Sequence, residues 1–203
     1  MYEYDVFLSY KRGKIREEWL HTIFLPLFEE QLEEALGKKG NIFIDKEDIP
    51  AGVDWIRHLG KSIARSKCLI AIVSPSYFAS EWCMKEFVAM YSRQLELEKL
   101  KQINEDISVV LPFVKQGPTE AFPKFIKRIQ LIDYSRYNKV GEAFRNTQEY
   151  LDMQAKIEHD TKRAAEIIKS APEWKEDFEK IEWLIPPVIP FEFTKPIQTK
   201  PGF

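Results

Sequence analysis

The run Cys68-Leu69-Ile70-Ala71-Ile72-Val73 is apolar at every position and is followed directly by Ser74-Pro75-Ser76. A strand that is apolar on both faces is typical of the centre of a parallel sheet, because helices cover both sides of such a sheet. Similar short apolar runs alternate with longer helical patterns along the chain. This alternation predicts βαβ units and therefore the α/β fold class.

Four further strands are predicted, at Tyr4–Tyr10, Asn41–Ile44, Ile107–Val114 and Ile129–Asp133. Pro112 favours a strand end or an exposed edge at its position, because proline cannot donate a hydrogen bond to a neighbouring strand. With the central run, the strands and helices make five βα units within about 140 residues, which predicts a flavodoxin-like, doubly wound, five-stranded parallel sheet.

The segments between the strands have the periodicity of amphipathic helices. The first helical pattern extends from Ile15 to Leu36, and Pro26 is expected to kink or restart the helix. Gly37 is expected to end it. Further helices are predicted around Trp55–Ile63 and Ser80–Leu100, with a short one at Pro123–Arg128.

The chain changes character after residue 140. Residues 1–140 are predicted to form the α/β domain, and residues 141–203 an appendage that is helical at first and then extended and rich in proline. From Pro172 onward the appendage contains six prolines together with Trp174, Phe178 and Trp183. We expect it to pack on the domain as a strap, and a partner-binding tail is the alternative.

Composition restricts the classes of partner. The 203 residues include 30 Lys and Arg against 32 Asp and Glu, and the net charge of −2 gives no electrostatic reason to expect nucleic acid or an anionic membrane as a partner. No stretch approaches the ~20 apolar residues of a membrane span. The chain opens directly on a strand pattern instead of a signal peptide, which predicts a cytoplasmic location.

Cysteine and histidine usage gives no sign of a metal site or of a disulfide framework. Cys68 and Cys83 do not form a Cys-x-x-Cys pair, and the three histidines are scattered along the sequence. We therefore expect no bound metal.

Ligands of doubly wound sheets bind beyond the carboxyl ends of the strands. The residues predicted at those ends are Ser9-Tyr10-Lys11-Arg12-Gly13, Asp45 to Gly52, Ser74-Pro75-Ser76-Tyr77 and Phe113-Val114-Lys115. They contain neither Gly-x-Gly-x-x-Gly nor a phosphate loop ending in Gly-Lys-Ser/Thr. This argues against hydride transfer on a standard dinucleotide fold and against ordinary phosphoryl transfer.

Three of these regions resemble the sequence boxes of the Toll/interleukin-1 receptor (TIR) domain family. Asp5-Val6-Phe7-Leu8-Ser9-Tyr10 resembles the opening box of the family, and Asp45 to Gly52 is similar to its BB loop. Ser74-Pro75-Ser76-Tyr77, followed by Ser80 to Phe87, is similar to its third box. The resemblance covers roughly residues 2 to 135, with the boxes in the family's order on the expected elements.

The resemblance to the NAD-cleaving, bacterial type of TIR domain implies a reaction and a catalytic residue. Such enzymes break the nicotinamide–ribose bond of NAD⁺, and the glutamate of the third box corresponds to Glu86 here. A carboxylate can stabilise the oxocarbenium character that develops at the ribose. NAD⁺ would be the substrate and no cofactor is implied. Hydrolysis to ADP-ribose and cyclisation remain alternatives.

The resemblance also implies a substrate-binding region and an assembly loop. The expected substrate-binding residues are Ser9, Tyr10, Lys11, Arg12, Asp45, Ser76, Tyr77 and Trp82. Tyr77 and Trp82 could equally be core aromatics, and the family's first box often continues with an acid where this chain has Lys11-Arg12. Head-to-tail self-association is expected through Asp48, Ile49, Pro50 and Gly52.

Two functions remain open at this stage. The first is an NAD⁺ glycohydrolase or ADP-ribosyl cyclase in bacterial antiphage signalling or cell death, whose nucleotide product a downstream effector protein would sense. The alternative is a non-catalytic TIR adaptor that acts by self-association and recruitment. A phospho-receiver of the same topology is excluded, because it needs acidic residues where Ser9-Tyr10-Lys11 and Ser74-Pro75 stand.

Overall fold

The structure, a computed structural model, describes residues 1–44, 55–104 and 106–179. Its centre is a five-stranded sheet in which all neighbouring strands are parallel, in the order β2-β1-β3-β4-β5. The strands are β1 Tyr4–Tyr10, β2 Ile42–Ile44, β3 Ser66–Val73, β4 Val110–Val114 and β5 Ile132–Asp133. The prediction of a five-stranded, flavodoxin-like parallel sheet is therefore confirmed.

Helices cover both faces of the sheet. They are α1 Lys14–Trp19, α2 Leu25–Leu36, α3 Trp55–Ala64, α4 Pro75–Phe78, α5 Glu81–Lys99, α6 Glu142–Arg145 and α7 Gln148–Lys169. α2 packs against α7, and α3 packs against α5. This double cover explains why β3, which contacts both α5 and α7, is apolar from Cys68 to Val73.

Pro26 lies in the first turn of α2, where the amide hydrogen that proline lacks has no partner within the helix. A π-helical turn, Leu20–Phe24, joins α1 to α2. The chain therefore stays helical from Lys14 to Leu36, with a wider turn just before the proline. Gly37 ends α2 in the left-handed conformation, with φ 69°, and its amide donates to the carbonyl of Glu33 at 2.8 Å.

The predictions for the last two strands were partly wrong. β4 begins at Val110 instead of Ile107, because the side-chain oxygen of Gln94 accepts the amide hydrogen of Val109 at 3.1 Å. β5 begins at Ile132 instead of Ile129, whose amide instead donates to the carbonyl of Ile126 in a 3-10 turn. In both cases a backbone amide that would donate to a neighbouring strand donates instead to a side-chain oxygen or to a carbonyl within a turn.

Pro112 lies inside β4 and is buried, so the prediction of a strand end was wrong. The amide of Lys115 donates to the carbonyl of Val73 in β3 at 3.0 Å. Successive backbone amides of a strand point alternately to the two neighbouring strands. The position without an amide hydrogen therefore faces β5. β5 pairs with Phe113 and Val114 alone, so it does not reach the proline.

The residues after 140 contact the α/β core both through α7 and through the segment that follows it. α7 packs on α2, and Lys169 donates to the carbonyl of Ala35 at 2.8 Å. Beyond it, Trp174 donates its indole hydrogen to the carbonyl of Ala64 at 3.2 Å, and Phe178 is buried with Ala64 and Leu97. The predicted boundary at residue 140 stays a prediction, and Trp183 lies outside the described residues.

Candidate active site

A cluster of buried polar side chains lies at the carboxyl edge of the sheet. Ser9 at the end of β1 contacts the hydroxyl of Tyr77 from α4, with 2.8 Å between the two oxygens. The Ser9 hydroxyl also donates to Oε2 of Glu86 from α5. Ser9, Tyr77 and Glu86 are 2%, 0% and 6% exposed. The structure thus brings together three of the residues that were predicted to form a site.

The local sequence after β3 explains the position of Tyr77. Ser74 is the N-cap of α4, and its side-chain oxygen accepts the amide hydrogen of Tyr77 at 3.3 Å. Pro75 occupies the first turn, where its fixed φ suits a helix start. Gly117 lies against Pro75, since a Cβ at Gly117 would be 2.5 Å from the proline Cδ. The cap and this close contact fix the turn that carries Tyr77.

The position of Glu86 follows from the inward face of α5. Cys83 and Glu86 are three residues apart on the helix, and both are buried. The Tyr77 hydroxyl also contacts the carbonyl oxygen of Cys83 at 3.1 Å. An ordinary glutamate on a helix surface would be solvated, so the burial of Glu86 distinguishes it from most acids of the chain.

Two groups beside Glu86 keep their protons at neutral pH. Burial raises the pKa of Tyr77 well above 10, and the neighbouring Cys83 and Glu86 raise it further. Burial also raises the pKa of the Cys83 thiol to about 11. Tyr77 and Cys83 are therefore uncharged neighbours of Glu86 at neutral pH.

The loop after β1 is held by a cation that the sequence prediction missed. Arg16 in the first turns of α1 donates from Nε to the carbonyl of Lys11 and from Nη2 to the carbonyl of Arg12, both at 2.7 Å. The loop directly follows β1, which carries Ser9 near its end, and the cation of Lys11 acts to lower the pKa of Cys83 against the larger effect of burial. Tyr10 is half-buried and lies edge-on to His21, with ring centroids 6.2 Å apart.

Trp82 and Ser76 lie on the outer side of the cluster. The Trp82 ring is 37% exposed in the first turn of α5, and the ammonium of Lys85 lies 4.6 Å above its centroid. Ser76 is half-buried, and its hydroxyl contacts that of Ser74 at 3.0 Å. Of the two aromatics that were predicted as pocket walls or core, Tyr77 is core and Trp82 reaches the surface.

The second predicted box lies outside the described residues. It runs from Asp45 to Gly52 and includes the predicted site residues Asp45, Asp48, Ile49, Pro50 and Gly52. Their assignments to substrate binding and to self-association therefore stay predictions.

Lys115 directly follows β4 and is 2% exposed. Its ammonium lies 5.1 Å from the centroid of the Trp19 ring and donates to the side-chain oxygen of Asn138. Burial, together with the nearby cation of Arg16, lowers the pKa of Lys115 to about 8. In the sequence, a charged residue directly after a buried strand was the signal for this position. Lys115 was predicted to lie at the carboxyl end of a strand, but no function was assigned to it.

Neither a metal centre nor a membrane span is present in the part of the chain that the structure describes. Within residues 1–44, 55–104 and 106–179, no three His, Cys, Asp or Glu side chains lie close enough to hold a metal ion. None of the helices in those ranges combines the length and the apolar character needed to cross a bilayer. Cys68 and Cys83 are free and buried.

Comparison with known proteins identifies a family. A sequence model of the TIR domain matches residues 6–147. The chain is similar to the TIR domain of the Toll-related receptor TRR-2 from Hydra magnipapillata, at 18% identity over 76% of this chain and 98% of that one, with a TM-score of 0.43. It is also similar to the TIR domains of the activated Roq1 resistosome, which recognises the pathogen effector XopQ, at 18% identity over 81% of this chain and 84% of that one, with a TM-score of 0.39. The matched residues include Ser9, Tyr77 and Glu86.

Proposed function

Because the chain belongs to the TIR domain family, we propose that it is an NAD⁺ glycohydrolase or ADP-ribosyl cyclase that breaks the nicotinamide–ribose bond. One observation carries the proposal: Glu86 is a buried, hydrogen-bonded glutamate at the carboxyl edge of the sheet. Ligands of doubly wound folds bind at this edge. Glu86 is the catalytic residue in this proposal.

The chemistry requires one well-placed carboxylate. When the bond between ribose C1′ and the nicotinamide nitrogen breaks, its electron pair stays on the nitrogen and nicotinamide leaves as a neutral molecule. Positive charge then develops at the ribose, and the Glu86 carboxylate stabilises it. Attack by water gives ADP-ribose and releases a proton, while attack by a nucleophile of the same molecule gives a cyclic product. Low exposure strengthens the effect, because few waters screen the carboxylate.

The surroundings of Glu86 suit a dinucleotide that carries a pyrophosphate and two flat bases. In our proposal the cations of Lys11 and Arg12 bind the pyrophosphate, and the exposed ring of Trp82 offers a surface on which a base can stack. Ser76, Tyr10 and Asp45 complete the proposed lining. Ser9 and Tyr77 are fully covered, so their proposed role is to hold Glu86 and not to contact NAD⁺.

Self-association belongs to the same proposal. The loop containing Asp48, Ile49, Pro50 and Gly52 would dock on a neighbouring copy head-to-tail and so complete the pocket. We further propose that the protein acts in the cytoplasm in antiphage immune signalling or cell death, and that a downstream effector protein senses the nucleotide product.

The decisive experiment incubates the purified protein with NAD⁺ across a wide range of protein concentrations and separates the products by chromatography. Light scattering on the same samples reports self-association. We expect free nicotinamide together with linear or cyclic ADP-ribose, and a specific activity that rises steeply with protein concentration. Assemblies that release no nicotinamide at any concentration would instead identify a non-catalytic adaptor. Constant activity in a monomeric sample would disprove the assembly requirement and leave the catalytic assignment intact.

A further inference from the structure

The hydroxyl groups beside Glu86 form a chain with fewer protons than contacts. The chain runs from Oε2 of Glu86 to Oγ of Ser9, from there to the hydroxyl of Tyr77, and on to the carbonyl oxygen of Cys83. Every hydrogen bond needs one proton between its two oxygens. The carbonyl of Cys83 has no proton to give, so protons come from Ser9, from Tyr77 and, when it is neutral, from Glu86.

With an ionised Glu86, two protons must serve three contacts. The Ser9 hydroxyl donates to the carboxylate, and the Tyr77 hydroxyl donates either to Ser9 or to the Cys83 carbonyl. One contact of the chain is then left without a proton. With a neutral Glu86, all three contacts are satisfied in one direction, from Glu86 to Ser9, from Ser9 to Tyr77 and from Tyr77 to Cys83.

We propose that Ser9 and Tyr77 are positioning residues that together set which protonation state of Glu86 the folded site favours, with opposite effects. Tyr77 favours the neutral carboxyl group, because its hydroxyl takes part in two hydrogen bonds of that state and in one of the ionised state. Ser9 favours the carboxylate, because its hydroxyl donates to the carboxyl oxygen and a hydrogen bond to a charged acceptor is stronger than one to a neutral acceptor.

The other ionisable groups near Glu86 do not produce this pattern. Among the described residues they include Tyr77 itself from α4, Cys83 one turn earlier on α5, and Lys11 from the loop after β1. The raised pKa values of Tyr77 and Cys83 keep both groups protonated while a carboxyl group titrates. Lys11 contributes a cation that is the same in every variant compared below, so its influence cancels between them.

The catalytic consequence rests on the proposed function. Stabilisation of an oxocarbenium ion requires the charged form of Glu86, so turnover should fall as the pH drops through the titration of this carboxyl group. A variant that favours the neutral form should lose activity at a higher pH than the wild type. A variant that favours the charged form should keep its activity to a lower pH.

The test titrates the Glu86 carboxyl group directly by NMR in protein labelled with ¹³C at the glutamate side-chain carboxyl. The Glu86 signal is identified by its absence in Glu86→Gln. We expect Tyr77→Phe to lower the titration midpoint and Ser9→Ala to raise it, each by about half a pH unit or more, the scale of one net hydrogen bond. Shifts in the same direction, or no shift in either variant, would overturn the proposal.

Matched variants separate the chain from general damage to the core. Tyr91→Phe and Ser62→Ala each delete a hydroxyl from a buried residue outside the chain, and both should leave the midpoint unchanged. If Ser9→Ala fails to fold, Ser9→Cys replaces it, since a thiol is a weaker donor of similar shape and should raise the midpoint by a smaller amount. If the titration midpoint of Glu86 does not rise in Ser9→Cys either, the proposal is overturned.

Steady-state kinetics then tests the consequence for catalysis. The acid limb of the kcat profile should move in the same direction as the NMR midpoint in each variant, while KM changes little because neither hydroxyl contacts substrate. A protein that releases no nicotinamide would refute the proposed function and leave the NMR result valid. NAD⁺ cleavage with an unshifted Glu86 titration would refute the present inference alone.

Discussion

Helix α5 buries one acidic and one basic side chain, each at a different edge of the sheet. Glu86 lies at the carboxyl edge and Arg93 at the amino edge, and they are 6% and 4% exposed. Seven residues separate them, about 10 Å along a helix, which places both on one helix face. The helix therefore presents a carboxyl group and a guanidinium to the interior under similar burial, and the partners of the two groups differ.

The partners of Arg93 are backbone carbonyl groups. Nη2 donates to the carbonyls of Ser66 at 2.7 Å and Lys67 at 3.1 Å, and Nη1 lies 3.3 Å from that of Ala64. The Phe178 ring lies 5.2 Å from the guanidinium carbon and covers it from the other side. Arg93 thus ties the end of α3 and the start of β3 to the segment that follows α7.

The difference shows what each edge can do. Carbonyl oxygens accept hydrogen bonds but have no protons to exchange, so the cation of Arg93 is fixed and its role is structural. The partners of Glu86 include hydroxyl groups, which can reverse their hydrogen bonds when the carboxyl group changes its charge. A fixed cation suits the edge that must hold the fold together, and an adjustable carboxyl group suits the edge where ligands bind.

The strongest test of the carboxyl edge is Glu86→Gln, which keeps the shape of the side chain and removes its charge. We expect the NADase activity to fall at least about 100-fold, the scale on which a principal electrostatic stabiliser contributes. Nicotinamide release measured under identical conditions checks this. Glu96→Gln, on the same helix but outside the cluster, should retain activity. Near-normal turnover in Glu86→Gln would remove Glu86 from the mechanism.

The matching test of the amino edge is Arg93→Met, which keeps an apolar stem but removes the guanidinium donor from the carbonyls of Ile63, Ser66 and Lys67. The Ala64 carbonyl loses Arg93 as well but keeps the indole of Trp174. Buried acceptors without partners are costly, so we expect the free energy of unfolding to drop by about 2 to 3 kcal/mol. Urea denaturation measures this change. Arg163→Met, at a half-buried arginine whose guanidinium donates to Gln130, serves as the control and should be almost neutral. If Arg93→Met also changed the NADase turnover per folded molecule, the assignment of a purely structural role to the amino edge would be wrong.

Phe178→Ala examines the cover over Arg93. The ring is 5% exposed, and its loss should reduce the free energy of unfolding by about 2 kcal/mol, less than for a central core phenylalanine because water can enter at this rim. Thermal and urea melts provide the measurement. Leu151→Ala truncates a side chain that is 55% exposed and should change the melts little. Equal effects from the two truncations would show that the segment after α7 adds no stability.

The smallest effect is expected from Asp5, also at the amino edge. Burial raises the pKa of Asp5, but hydrogen bonds from Lys67 at 2.7 Å and from the Asn41 amide at 3.0 Å outweigh it, so the pKa lies below its usual range. A carboxyl pKa that is lower in the folded state stabilises the fold at neutral pH, and this contribution disappears as the pH falls below about 4.

Asp5→Asn should therefore cost about 1 kcal/mol at pH 7, because Lys67 is partly exposed and water screens the pair. The difference between variant and wild type should vanish in acid. Urea melts at pH 7 and pH 3 measure both values. Glu158→Gln, which breaks an exposed pair with Lys162, is the control and should show little difference at either pH. A difference that persists at pH 3 would show that Asp5 acts through its shape and not its charge.

Local sequence was sufficient for most of the fold. β1 lies at Tyr4–Tyr10 as predicted, because an apolar run bounded by polar residues leaves little choice of strand limits. The proline at position 26 and the glycine at position 37 mark the two ends of α2, since each acts on its own backbone dihedral angles. The five-stranded parallel sheet followed from the alternation of strand and helix patterns, which requires crossover connections between the strands.

The tertiary structure alone decided how the candidate site is built. Ser9 is 68 residues from Tyr77 and 77 residues from Glu86, and their contacts depend on the register of β1 against β3 and on the face that α5 turns inward. The same packing buried Arg93 and Lys115, which sequence patterns would leave in solvent. Residue type and spacing fix backbone preferences locally, whereas the exposure of a charged group and its hydrogen-bond partners depend on which distant segments fold against it.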